Sequence, residues 1–274
     1  MTAMWCAVQG SFCYEARMAA RGRVLWLTLL PLTALAVLLA LSSPAVAGQD
    51  DPAGRIGTTV LVVNTFATAG LGVALAGRLN QHSAPGLAEV LDTTPGGGTT
   101  RLAGVLAGAL AVALVPVSAV VVVIGAAVSI RSGTAAPLAY AVLGVLTVLV
   151  PAAVAMTTFA GLLGLLMPVI VARVLVVALW FWATQLSPSF VPVPSPTGTV
   201  LSPLGGYPAV AWLGARRIWA GRGLDGVLSP APGSGAAVLN VVLVLVSAAV
   251  FFFAARLLTA WRADRHPTQD GALR

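Results

Sequence analysis

From Ser132 to Ala172 the chain runs without one charged side chain. As a single helix this run would be about 60 Å long at 1.5 Å per residue, twice a hydrocarbon core of about 30 Å. It therefore predicts two crossings, and the glycines at Gly161 and Gly164 suggest a break there, with spans at 136–160 and 165–186. Four further apolar runs, at 24–47, 56–77, 102–127 and 236–255, are each long enough for one crossing. The expected fold is an all-α polytopic membrane protein with six transmembrane helices. Composition agrees: 58% of the residues are hydrophobic, 8% are charged, and the mean hydropathy is +0.96. So few charges do not cover a soluble domain, and the bilayer is the solvent.

The net charge of +7 comes entirely from arginine, since the sequence holds no lysine. The arginines sit at the ends of apolar runs, with no compact basic cluster interleaved with aromatics, which argues against nucleic acid as a partner. With six spans and the N-terminus inside, Arg17, Arg21, Arg23, Arg78, Arg101, Arg173, Arg256, Arg262, Arg265 and Arg274 fall on the inner side. Arg55, Arg131, Arg216, Arg217 and Arg222 fall on the outer side. That excess places both termini in the cytoplasm. Arg173 is assigned by parity and is the only ionisable residue that a span can contain.

Several function classes drop out on chemistry. A P-loop requires a lysine that reaches the nucleotide phosphates, so no such site is expected here. No span contains Asp, Glu or His, the groups that ion-coupled transporters place near the midplane. Metalloprotease and nucleophile-elbow motifs are absent, and no catalytic residue is assigned. Cys6 and Cys13 read as reduced thiols, and His82 and His266 lie far apart in polar segments, so no metal site is expected.

Three segments interrupt the spans. Residues 1–23 show Trp5, Val8, Phe12, Ala16 and Ala19 at helical spacing beside polar Gln9, Glu15 and Arg17, which predicts an interfacial helix. The loop 78–101 contains a short amphipathic helix over 86–94: Ser83 caps it, Pro85 starts it, and Leu87, Val90 and Leu91 share a face. Pro95 and Gly96–Gly98 end it. The region 187–235 is rich in proline, yet Val200–Trp219 is apolar enough to enter the membrane, so an extracellular or re-entrant helical region is expected before the last span.

Within the spans, Asn64 and Thr68 are four residues apart on one helix face. They read either as lining for a translocation path or as interhelical hydrogen-bonding residues. Gly104 and Gly108 form a close-packing pair. Trp180, Phe181 and Trp182 mark the outer membrane interface or an outer gate. Arg216, Arg217, Trp219 and Arg222 suit an interfacial helix with snorkelling arginines, or attraction of an anion.

This organisation resembles the permease subunits of ABC-2 type exporters. The residues that carry the likeness are Arg78, Gly86, Glu89, Leu91, Pro95, Arg101 and Gly104, at the spacing of that family's loop pattern. Phe12-x-Tyr14-Glu15-x-Arg17 is similar to its N-terminal segment, and Ser202-Pro203-Leu204-Gly205-Gly206-Tyr207 to the segment that opens its extracellular helices. The resemblance implies a permease domain (24–274) in a bacterial cytoplasmic membrane, paired with a second copy or a paralogue. It also implies separately encoded ABC ATPase subunits, which bind the ATP and Mg, so that this chain carries no cofactor. Gly86, Leu87, Glu89, Val90, Leu91, Pro95 and Arg101 would form the contact with the ATPase. Asn64, Thr68, Trp180 and Trp182 would face the translocation path. Gly96–Gly98 departs from the pattern by slackening the second half of the loop. The alternative is a non-transporting membrane subunit that anchors or assembles other proteins.

Overall fold

Proline and glycine divide the polypeptide into helices, and the divisions differ in places from those the apolar runs suggest. A computed structural model describes residues 2–49, 51–82, 98–186, 193–216, 219–220 and 227–265. The helix expected over 86–94 lies outside them. Among the described residues the elements are α1 (Thr2–Arg21), α2 (Arg23–Ser42), α3 (Pro44–Ala47), α4 (Pro52–Leu75), α5 (Arg78–His82) and α6 (Gly98–Ser132). There follow α7 (Ala136–Gly144), a π-helical turn (Val145–Leu149), α8 (Val150–Leu166), α9 (Val169–Thr184), α10 (Gly206–Leu213) and α11 (Ser234–Arg265).

Among the described residues, five helical stretches are long and apolar enough to cross a membrane: Arg23–Ser42, Pro52–Asn80, Gly98–Ser132, Ala136–Leu166 and Ser234–Arg262. The remaining apolar helix, α9, has 16 residues and spans about 24 Å, short of a hydrocarbon core of about 30 Å. The chain is thus an α-helical, multi-pass membrane protein.

The break in the long uncharged run falls at Met167–Pro168, a few residues after the glycines. Pro168 disfavours helical backbone at the residue before it, and Met167 is extended at φ −146°, ψ 168°. Gly161 and Gly164 stay helical. A Cβ on Gly164 would lie 1.6 Å from the carbonyl oxygen of Ala76, so this glycine lets two backbones touch. The freed carbonyls at the end of α8 are taken up from outside: the Asn80 amide donates to Gly164 O and the Arg262 guanidinium to Leu165 O. Pro44 ends α2 early in the same way, with Ser43 extended before it. Pro151 has no N–H to give, and the helix widens into the π turn just ahead of it, where Val150 N–H reaches back to Val145 O.

The bundle is built around α4. In the most apolar 18 residues of its stretch Pro52–Asn80, 83% are buried, against 22–50% in the corresponding windows of the other four, and it packs against α2, α6, α7, α8, α9 and α10. Small residues make this possible: a Cβ on Gly72 would meet Val176 Cγ1 at 2.5 Å and Met156 Sδ at 2.7 Å. Outside this core, α11 lies along α8, and α1 lies along the first half of α6. Gly104 and Gly108 are the seat for α1: a Cβ there would come within 2.7 Å of Ser11 Cβ and 2.6 Å of Phe12 O respectively. Val8, Phe12 and Ala16 of the expected apolar face meet α6 in this way, beside Ser11 and Glu15, while the side chain of Trp5 lies outside the described ones. Glu15 departs from expectation, for it is 1% exposed and forms an ion pair with Arg78 at 3.3 Å.

Gly164→Ala is expected to force α8 away from the α4–α5 turn and to cost about 3 kcal/mol or more. Gly10→Ala, with nothing within 4 Å of the added methyl, should leave stability unchanged or slightly raised. Thermal unfolding of the two variants in detergent checks both.

Candidate functional site

The segment 193–216 has irregular backbone at both ends of α10, and most of its 197–213 part is nevertheless buried, with α10 packed against α4, α7 and α11. Val200, Leu204, Tyr207 and Leu213 are all essentially inaccessible. An irregular segment in an apolar setting must have its carbonyls satisfied by side chains. Asn64, near the midpoint of the Pro52–Asn80 stretch, supplies one such bond: Nδ2 donates to Leu204 O at 3.0 Å. Thr68, one turn further on, donates to Asn64 Oδ1 at 2.6 Å and so holds the amide in that orientation. From the opposite side Asn240 of α11 donates Nδ2 to Val200 O at 2.8 Å and to Ser202 O at 3.0 Å. Gly205, at φ +77°, turns the chain between the Leu204 carbonyl and the start of α10, a conformation that glycine adopts without steric penalty.

The same segment closes the end of α9. Thr197 Oγ1 donates to Trp182 O and Ser202 Oγ to Ala183 O, which occupies two of the terminal carbonyls of that helix. In return Trp182 Nε1 donates to Pro194 O at 3.1 Å. Trp180 turns inward, 4% exposed, and donates Nε1 to Thr65 O at 2.7 Å, while Gln185 reaches Thr65 Oγ1 at 3.3 Å.

Beside this seam lies a half-open cavity of about 280 Å³ between α8, α9, α11 and the 196–203 stretch. Met156, Phe159, Trp180, Trp182, Leu201 and Phe251 supply most of its wall, and Ser247 contributes the hydroxyl. It has no charged lining. Such a wall accepts an apolar group, such as a hydrocarbon chain or an aromatic ring.

The four path candidates therefore come to lie around one segment, in two different roles. Asn64 and Thr68 are buried, and their hydrogen bonds stay within the protein. Trp180 and Trp182 line the cavity as well as making structural hydrogen bonds. Gly86, Leu87, Glu89, Val90, Leu91 and Pro95 lie outside the described residues. Arg101 sits in the first turn of α6, and nearby Arg256 Nε donates to Thr99 Oγ1 at 3.1 Å. Asn240 was not among the sequence candidates, although it carries the same signal as Asn64, a single amide in an apolar span. Its partners, two carbonyls about 40 residues upstream, leave no trace in the sequence. Among the described residues, no three His, Cys, Asp or Glu come together as metal ligands, and Cys13 is an exposed free thiol.

Replacing Asn240 by leucine strips two buried carbonyls of their donor, and Asn64→Leu strips one. Each lost bond should cost about 1 kcal/mol in a membrane-protein interior. The melting temperature is expected to fall for both variants, and further for Asn240→Leu. No family model matches the chain, and no curated protein or solved structure matches it.

Proposed function

We propose that this chain is the membrane permease of an ABC-2 type exporter, driven by separately encoded ATPase subunits. The observation that carries the reading is a convergence of segments distant in the chain. Glu15, from the Phe12–Arg17 stretch, pairs with Arg78, which opens the 78–101 loop, and Gly104, just past the loop, seats Ser11 and Phe12 of that same stretch. Any displacement of the loop would be felt at once by α1, by the end of α4 and by the start of α6. A loop helix that docks on an ATPase needs such a rigid connection to the spans it moves.

In this reading α9 is the sixth crossing, its shortness made up by the chain on either side. The 193–216 segment is re-entrant, since its Leu204 carbonyl meets α4 at Asn64, roughly 18 Å along the helix from Pro52. Both termini are cytoplasmic and the membrane is the bacterial inner membrane. A second copy or a paralogue completes the path, and ATP and Mg are bound by the partner ATPase alone. The apolar cavity beneath Trp180 and Trp182 favours a substrate with a hydrocarbon or aromatic portion.

Leu91→Glu provides the test, because a carboxylate placed in an apolar docking cleft costs several kcal/mol. Wild-type protein solubilised from its own membrane should co-purify with an ATP-hydrolysing subunit, and the variant should lose that partner while keeping its melting temperature. If wild type brings down no ATPase, the anchoring-subunit reading replaces this one.

A further inference from the structure

At the end of the bundle where α1 hands over to α2, a second cavity of about 300 Å³ is lined by four arginines: Arg21, Arg23, Arg78 and Arg173. They come from four separate places, the last residue of α1, the first of α2, the first of α5, and one turn into α9. Of the four, Arg78 has its countercharge in Glu15. Glu15 and Asp51 are the acids whose side chains are described, and no ion pair is formed by Arg21, Arg23 or Arg173 among the described residues. Arg173 is the most telling. Its Nε is shut off from solvent without a hydrogen-bond partner, although a buried guanidinium N–H without an acceptor is costly. Among the described residues these three positive charges, Arg21 and Arg23 exposed and Arg173 half-buried, have no countercharge, and their mutual repulsion favours an anion between them.

The surroundings of the cavity indicate which anion. Its rim is apolar and exposed on both sides: Val24, Leu27 and Leu30 on α2 stand 47%, 73% and 49% accessible, and Ile170 and Val174 on α9 stand 76% and 64% accessible. The strip on α2 runs on from Arg23, and the one on α9 flanks Arg173 on both sides. A charged cup opening onto two apolar strips is the complement of an amphiphile with an anionic head. A phosphodiester offers acceptor oxygens that match guanidinium forks, with acyl chains to lie along α2 and α9. Basic pockets between transmembrane helices on the cytoplasmic side hold headgroups by this chemistry.

We propose that Arg21, Arg23, Arg78 and Arg173 form a binding site for the phosphate of an anionic phospholipid, which neutralises Arg173 and seals the junction of α1, α2, α4 and α9. The site does not depend on the exporter reading and holds equally for an anchoring subunit.

The test is native mass spectrometry of the full chain in neutral detergent, incubated with an equimolar mixture of phosphatidylglycerol and phosphatidylcholine of the same acyl chains. Wild type is expected to retain phosphatidylglycerol at least about tenfold over phosphatidylcholine. Arg173→Gln and Arg23→Gln are each expected to weaken that retention roughly fivefold, while Arg131→Gln, at the exposed far end of α6, leaves it unchanged. Since glutamine removes an unpaired charge, both variants should also melt no lower than wild type without lipid, which separates lost binding from lost folding. Equal retention of the two lipids, or undiminished phosphatidylglycerol on both variants, overturns the proposal. Displacement of the lipid by millimolar inorganic phosphate also overturns it, because the cup would then be a site for soluble anions.

Discussion

A helix enclosed by other helices can hold residues that a lipid-facing helix cannot, and α4 is built on that freedom. It is the most buried of the long apolar helices and the least apolar of them, with Thr58, Thr59, Asn64, Thr65 and Thr68 along its length and glycines at both ends. Where lipid surrounds a helix, an amide such as Asn64 has no partner and adds only cost. Within the bundle it has one, the Leu204 carbonyl, and the irregular segment that offers this carbonyl depends on the amide in turn. The centre of the molecule is therefore a mutual arrangement: α4 is polar because something non-helical lies against it, and the non-helical segment persists because α4 is polar. Asn240 repeats the arrangement from the opposite side.

Helix ends follow a related economy. Proline removes a donor and disfavours helical backbone one residue earlier, so Pro44 and Pro168 decide where α2 and α8 stop. The carbonyls left at those stops need donors of their own. At α8 the donors arrive from two distant helices, Asn80 on α5 and Arg262 on α11, and the same two groups tie α5 and α11 to the end of α8. Glycine plays the complementary part within helices, where Gly104, Gly108 and Gly164 mark places at which two backbones meet and Gly72 makes room for the side chains of Val176 and Met156. In a medium as apolar as the side chains themselves, close contact of this kind supplies much of what holds helices together.

Charge is rationed in the same manner. Glu15 is buried and has Arg78; Arg262 has a helix terminus; Arg216 donates to Gly48 O and fastens the 193–216 segment to the end of α3. The cup formed with Arg173, whose buried Nε has no partner among the described residues, differs from these in opening onto an apolar rim, and on the proposal above its anion comes from the membrane.

The all-helical fold, the bilayer as solvent and the existence of each apolar helix were legible in the residues, because hydrophobic length and scarcity of charge act locally along the chain. The apolar face of α1 and the glycine pair on α6 were legible for the same reason. The location of the break in 132–172 was misjudged, since glycine and proline both interrupt patterns and only packing shows that Gly161 and Gly164 serve contact while Pro168 serves the break. Asn64 and Thr68 could be named but not given a role, for an amide in a span looks the same whether it faces a path or a carbonyl. The burial of Glu15, the bridging by Asn240 and the gathering of four arginines into one cup were decided by tertiary structure alone. Each depends on residues tens to more than a hundred positions apart, and the energy of a hydrogen bond or an ion pair depends on a distance that sequence spacing does not contain.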